Sequence, residues 1–309
     1  ILMTGPAGSG KSMIATCLPT ILPGLSFEES IEITKIYSVA GLLKKNQSII
    51  TGRPFRSPHH TVSAIALAGG GTIPKPGEIS LSHNGVLFLD ELPEFNRNAL
   101  EVMRQPLEDR EVTIARIHGK YVYPAGFMLV AARNPCPCGM YPDLNKCTCS
   151  YRQIRQYNAK ISRPLLDRID INVNVQKVAY EDLLGTKKAE TSAQIRKRVL
   201  AAQKIQRERY RSESFHFNSQ LDGRRTQKYI KLGSAEEAMI RDVFEETDLS
   251  ARGYNRVLKI ARTIADLDGS PEIREIHLKE ALFFRYQNLL EDGETGRNRS
   301  YGKGAFGYG

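Results

Sequence analysis

The chain contains no tryptophan, and 13 tyrosines with 11 phenylalanines bring the aromatic share to only 8%. A hydrophobic share of 41% and a charged share of 25% over 309 residues suit a soluble globular protein. That length is enough for two domains with a sizeable core. No run approaches the ~20 apolar residues of a membrane-spanning helix, and no signal peptide is visible, so no membrane partner is expected and the expected location is cytoplasmic. Acidic residues are the minority, 34 against 44 Lys and Arg, a formal net charge of +10. That balance favours a polyanionic partner without naming one. Cysteine is scarce as well: there are five, four of them between Cys136 and Cys149. So few thiols exclude a disulfide-stapled scaffold, and in a reducing cytosol their clustering points to metal more than to disulfide.

What is present begins almost at the N-terminus. Gly5-Pro6-Ala7-Gly8-Ser9-Gly10-Lys11-Ser12 fits the G-x-x-x-x-G-K-[ST] pattern of a nucleotide-binding P-loop. The apolar fragment Ile1-Leu2-Met3 precedes it, and Met13-Ile14-Ala15 opens a helical pattern after it. Glycines let backbone N–H groups close around phosphate with no Cβ in the way. The helix N-terminus adds partial positive charge where the anion sits. Lys11 is then expected to reach the β- and γ-phosphates of ATP, and the Ser12 hydroxyl to join Mg²⁺. Further on, Gly85-Val86-Leu87-Phe88-Leu89-Asp90-Glu91 reads as a strand buried on both faces that ends in two carboxylates. Asp90 is expected on the metal, and Glu91 on the water that attacks the γ-phosphoryl group.

Between these motifs, a polar helix is expected from about Glu28 to Leu43, after Pro19 and Pro23. Residues 51–84, with Arg53-Pro54-Phe55-Arg56-Ser57-Pro58-His59-His60, Gly69-Gly70-Gly71 and Pro74-Lys75-Pro76-Gly77, are too rich in breakers for one long element. They are also too long for an ordinary connection, so a functional or mobile loop is expected. His59 and His60 lack neighbours at metal-ligand spacing and are expected to play a structural or substrate-contacting part.

Asn96 to Leu107 reads as a helix. Glu111 to Ala115 and Lys120 to Tyr123 read as a hairpin around Arg116-Ile117-His118-Gly119, with Arg116, His118 and Lys120 at its tip. Phe127 to Ala132 reads as a second apolar strand, and it would bring Asn134 beside the carboxylates, where a neutral amide can hold the attacking water. Near residue 185 the pattern turns all-α. A helix over Ala193 to Tyr210 is expected to bury Ile195, Val199, Ala202 and Ile205 and to expose a basic face of Arg196, Lys197, Arg198, Lys204, Arg207 and Arg209. Ser234-Ala235-Glu236-Glu237 is a capping-box signature. Ser250 is expected to cap a helix burying Val257, Leu258, Ala261, Ile264 and Ala265, and a last helix runs from about Glu275 to Leu290. Residues 291–309, Gly-rich with Arg, Lys and Tyr, read as a disordered tail.

Taken together, these segments resemble an AAA+ ATPase of the magnesium-chelatase-like branch, more narrowly the ComM/YifB family. The residues that carry the likeness are Gly5 to Ser12, Arg53 to His60, Gly85 to Pro93, Asn134-Pro135-Cys136-Pro137-Cys138-Gly139, Pro164 to Asp170, and Ser250 to Asp266. The resemblance implies an α/β fold in which helices sandwich a parallel P-loop sheet. Residues 1–185 would form this nucleotide-binding core, with a Cys-rich insertion at 136–149, and 186–290 an all-α lid. It further implies Asn134 as sensor 1, Arg168 as the arginine finger offered to a neighbouring subunit's nucleotide, and Arg252 as sensor 2, with Arg256 one turn on as the fallback. The 51–84 loop matches the helix-2 insert and the hairpin near Arg116 the pre-sensor-1 hairpin; in related ring motors both point into the pore. Family members usually carry an N-terminal Lon-protease-like domain, and because the chain opens directly on the P-loop strand, an upstream part is expected.

The implied activity is a homo-hexameric ring ATPase that moves on DNA, a helicase or branch-migration motor of natural transformation. Two other classes stay open, a chelatase motor subunit driving Mg²⁺ insertion into a porphyrin and a protein-remodelling ATPase. Cys136, Cys138, Cys147 and Cys149 can complete a tetrahedral Zn²⁺ site, although a spacing of one within each pair is tighter than usual and reduced structural thiols are the other reading. Cys17, on the helix after the P-loop, is expected in the core.

Overall fold

The computed structural model describes residues 1–116, 119–178, 189–247 and 249–291. Strands β1 (Leu2–Thr4), β2 (Phe55–Arg56), β3 (Gly69–Gly70), β4 (Lys75–Pro76), β5 (Val86–Leu89), β6 (Glu111–Arg116), β7 (Gly119–Pro124), β8 (Met128–Arg133) and β9 (Asn172–Asn174) follow in chain order. Five of them form one sheet in the order β2-β5-β8-β1-β9. β5 pairs in parallel with both β2 and β8, and β8 with β1. The expected α/β architecture, a parallel sheet with helices on its faces and a helical region following, is the one observed.

All four residues of β5 are buried, and period-two alternation divides them between two cores. Val86 and Phe88 pack with Met3, Val130 and Ala132 against Ala15 of the Lys11–Ile21 helix. Leu87 and Leu89 pack on the opposite face with Leu2, Leu129, Leu92 and Leu100. Each such side chain contributes about 1.5–3 kcal/mol of burial. The strand that delivers Asp90 and Glu91 is thereby held from both faces of the sheet.

The contacts divide the chain into two compact units, Ile1–Ile169 with Val173–Ser192 and Asp170–Asn172 with the chain from Ala193 onward. The second unit has its own core, built on Val257, Leu258, Ala261 and Ala265 of the Ala251–Leu267 helix with Leu278, Ala281 and Leu282 of the last helix. Ser250 caps the former helix, its side chain accepting from Gly253 N–H.

Several expectations need correction. The first helix runs through Pro19 to Ile21; the missing N–H costs one bond near its end, where few remain to lose. Its core-facing stripe is Ala15 with Leu18 and Leu22. Cys17 lies off that stripe and is exposed. The Asn96–Leu107 helix is two short ones, Arg97–Glu101 and Arg104–Asp109, because Pro106 cannot donate back across Val102–Met103. Ser234 is not a cap: Gly233 takes that position in extended backbone, and Glu237 N–H bonds its carbonyl. On the Ser192–Arg209 helix the buried positions are Ala202 and Gln206, continued by Tyr210, while Ile205 is exposed and Ile195 and Val199 are half-buried. Residues 51–84 fold as short elements instead of an open loop. There Arg53 donates to Pro23, Gly24 and Asn84 carbonyls, and Arg56 makes a bidentate pair with Glu78 at 2.6 and 2.7 Å. His118, the change to an all-α pattern expected near residue 185 and residues 292–309 of the expected tail lie outside the described residues.

Candidate active site

The P-loop leaves β1 at Gly5 and enters the helix at Lys11. Gly8 and Gly10 adopt φ of 76° and 86°, left-handed values that a side chain would strain. At Gly5 an added Cβ would lie 2.2 Å from the Val175 carbonyl, so the cradle is tight as well as turned. No side chain caps the helix that follows, and its first-turn N–H groups have no side-chain partner there. A cradle of this shape, with bare donors at a helix N-terminus, fits a phosphate group.

Ser12 and Asp90 are 78 positions apart, yet the Ser12 hydroxyl donates to Asp90 Oδ2 at 2.6 Å. They meet because parallel strands end on the same edge of the sheet. A hydroxyl and a carboxylate so placed form the hard oxygen pair that Mg²⁺ takes. Lys11 is only 8% exposed. Its ammonium donates to the Gly5 and Pro6 carbonyls at 2.7 and 2.8 Å and to Asn134 Oδ1 at 3.3 Å. Burial holds its pKa below the ordinary lysine value, against the pull of nearby Asp90. Asn134 follows β8, whose central place beside β5 brings the amide to the P-loop.

Glu91 sits at φ 51°, a left-handed conformation unusual for a glutamate, and its N–H donates to Asp90 Oδ1 at 2.9 Å. The turn directs its carboxylate at His60, whose Nδ1 lies 3.4 Å from Glu91 Oε2. His60 also stacks on His59, ring centroids 4.1 Å apart, and meets Phe95 edge-on. Ser57, Pro58 and the two histidines line one cleft with Asp90 and Glu91. Sequence reasoning gives His60 a structural or substrate-contacting part without placing it beside Glu91, because a histidine pair in a loop preceding the acidic strand does not show which residue it faces. A missed residue is Tyr157, a buried phenol that takes a hydrogen bond from the Asn134 backbone. Burial first, then the nearby Glu94 charge, pushes its pKa up to about 12.

Arg168 is 12% exposed and fully engaged, with Nη2 2.8 Å from Glu108 and N–H groups on the Arg104 and Pro164 carbonyls. Arg252 is exposed on the first turn of its helix in the second unit, and Arg256 lies 3.3 Å from Asp170 within that same unit. The β6–β7 hairpin packs against the 51–84 segment: Tyr123 donates to the Pro74 carbonyl, and a Cβ at Gly70 would sit 3.0 Å from Arg116 Nη2. Lys75, Arg116 and Lys120 are exposed there.

The four clustered cysteines come together too. Cys136 Sγ is 3.4 Å from Cys138 and 3.8 Å from Cys147, Cys138 is 3.6 Å from Cys147, and all four sulfurs lie within 4.8 Å of one another. Among the described residues this is the one group of His, Cys, Asp and Glu with the geometry to hold a metal. Backbone N–H groups of Met140 and Thr148 draw the Cys138 thiol down to about 6. The described residues contain no helix long and apolar enough to cross a membrane.

Residues 1–183 match the family described as magnesium chelatase, subunit ChlI, and 189–285 its C-terminal part. The chain belongs to the magnesium-chelatase-like ComM/YifB family. Competence protein ComM of Haemophilus influenzae is 44% identical over 92% of this chain and 55% of its own length. The uncharacterized protein YifB of Salmonella typhimurium is 42% identical over 92% of this chain and likewise 55% of its own. The magnesium-chelatase 67 kDa subunit of Chlorobaculum parvum is 26% identical over 44% of the chain and 19% of its own length. The chain thus spans about half the length of the ComM and YifB relatives it matches. Membership of the family accounts for the AAA+ α/β core with a helical region after it.

Proposed function

We propose that this chain is the ATPase part of a homo-hexameric ring motor that acts on DNA, a helicase or branch-migration machine serving recombination of incoming DNA. The single observation that carries the ATPase reading is the 2.6 Å contact between Ser12 and Asp90 at the mouth of the P-loop. Ser12 and Asp90 would hold Mg²⁺, which would supply charge neutralisation at the phosphates. The cradle from Gly5 to Ser12 binds them through backbone N–H groups, and Lys11 exchanges its carbonyl partners for phosphate oxygens. Glu91 and Asn134 orient the attacking water between them. Arg168 leaves Glu108 to serve the neighbouring subunit's nucleotide, and Arg252 senses the γ-phosphate from the lid.

The DNA reading is supported by the net charge of +10. It is supported too by the packed pair of basic segments around Lys75, Arg116 and Lys120, which would contact phosphates regardless of sequence. A relative named as a competence protein fits the same reading. We further assign Zn²⁺ to the four thiols as a resident ion, since their spacing suits a tetrahedral thiolate site. A second reading, a motor subunit of a chelatase, rests on the likeness to the 67 kDa subunit. The test is ATP turnover by the full-length protein with and without branched DNA, at several salt concentrations. Stimulation that fades with salt is expected; a rate indifferent to DNA, with no salt-sensitive binding, would remove the DNA reading and favour the second.

A further inference from the structure

The cysteine cluster sits where a structural ion could control the chemistry. Only Pro135 separates Cys136 from Asn134, and Asn134 itself follows directly on Arg133, whose backbone registers with Thr4 in the central sheet. The far end of the loop is equally anchored. Ser150, next to Cys149, caps the Tyr151–Asn158 helix through a capping box with Gln153. That helix returns to the strand end: Tyr157 takes the Asn134 backbone bond, and Asn158 Oδ1 accepts from Arg133 at 3.3 Å. Between the anchors, residues 137–149 have almost no core of their own. Gly139 is their one buried residue, while Leu144 is 80% exposed and Met140 also faces solvent.

Gly139 lies beside the nucleotide site. At φ 76° it turns the loop so that an added Cβ would come into ordinary van der Waals range of the P-loop, 3.7 Å from Ala7 N, and of Asn134, 3.9 Å from its amide carbon. The sulfurs meanwhile form a ready ligand set. A tetrahedral site with Zn–S bonds of about 2.3 Å has S···S edges of about 3.8 Å. Cys136, Cys138 and Cys147 are separated by 3.4, 3.6 and 3.8 Å, and no disulfide joins the thiols. Backbone N–H groups from Tyr141 to Cys136 and from Met140 and Thr148 to Cys138 supply the outer bonds that orient thiolate ligands.

Resting on the ATPase reading above, we propose that Zn²⁺ in this four-cysteine knuckle is the positioning device for Asn134. The ion replaces the hydrophobic core that the loop lacks and presses the Gly139 turn against the P-loop and the Asn134 amide. It thereby fixes the amide beside Lys11, where the attacking water must be held. Metal occupancy then governs the hydrolytic step more than nucleotide binding, because Gly5 to Ser12 are held by the sheet and the first helix whether or not the knuckle is loaded.

The experiment uses the full-length protein. Atomic emission should find one Zn²⁺ per chain, and Co²⁺ exchange should give the charge-transfer and d–d bands of a tetrahedral thiolate site; Cys147→Ser with Cys149→Ser should abolish both. Stripping the metal from the wild type should lower kcat by ~10-fold or more, as loss of an outer-shell support does, with ATP affinity retained and restored turnover on adding Zn²⁺. In Asn134→Ala, measured in single turnover, stripping should cause no further loss. Hydrogen exchange over residues 134–141 should rise on stripping while residues 5–12 stay protected. Absence of stoichiometric Zn²⁺ would overturn the proposal, as would an equal fall in kcat in the wild type and Asn134→Ala, since the ion would then hold the fold and not the amide. If the loaded wild type binds ATP without hydrolysing it, the motor reading and the role given to Asn134 fail together, while the Co²⁺ spectrum still decides the metal site on its own.

Discussion

The two units use charge in opposite ways. In the first, Ser12, Asp90, Glu91 and His60 meet at the open end of the sheet, each satisfied by another member and each still partly accessible. In the second, Asp266 has a fully buried side chain, gripped by Arg209 at 2.5 and 2.8 Å, by Arg262 at 3.1 Å and by Asn218 at 2.8 Å. The same residue types are reactive where their partners can be exchanged for a ligand and purely cohesive where every lone pair is already taken. Exposure at a strand end, more than residue identity, separates the two uses.

Four changes would break or sharpen this contrast. Largest is Arg168→Ala in the assembled protein, expected to keep ATP binding and lose ~10³–10⁵ in turnover if the guanidinium serves a neighbouring nucleotide. Turnover at the wild-type level would make its pair with Glu108 an architectural contact like that of Asp266. Asp266→Ala should do the reverse. Uncompensated buried arginines cost about 3–5 kcal/mol, seen as a lower urea midpoint of the helical unit, with ATP affinity of the P-loop unchanged. A smaller effect is expected of His60→Ala: kcat falls by up to ~10²-fold as Glu91 loses its lateral support, with little change in melting temperature. A variant destabilised without loss of kcat would move His60 to the cohesive class. Smallest is Ser26→Ala, which removes the capping box with Glu29 and should cost about 1 kcal/mol in denaturant titration with no effect on turnover.

Much of this was legible along the chain, for identifiable reasons. The P-loop and β5 are local patterns, and apolar runs that end in carboxylates imply a parallel sheet with its ligands at one edge. From that topology the meeting of the P-loop with Asp90 follows without coordinates, whereas the bond from Lys11 to Asn134, expected beside the carboxylates, needs the structure. What stayed hidden depends on contacts between segments with no shared pattern. His60 reaches Glu91 from a 51–84 segment pinned by Arg53 and Arg56, whose partners Pro23, Gly24, Asn84 and Glu78 carry no shared pattern. Arg168 finds Glu108 across a gap of 60 residues with no periodic signal. Arg209 reads as part of an exposed basic face because burial of a charge is invisible until its partner, here Asp266, is placed. The capping box of Ser26 with Glu29 is a local pattern, while the one at Ser234 gives way to the extended glycine before it.

The most direct test of the central claim, that P-loop and acidic strand converge on one triphosphate, is Glu91→Gln. The measurement is ATP retention and ATP turnover on the same preparation of the full-length protein. The account predicts ATP bound with wild-type affinity and turnover reduced by ~10²–10⁴-fold. Undiminished turnover would contradict it and remove Glu91, with the site built around it, from the chemistry.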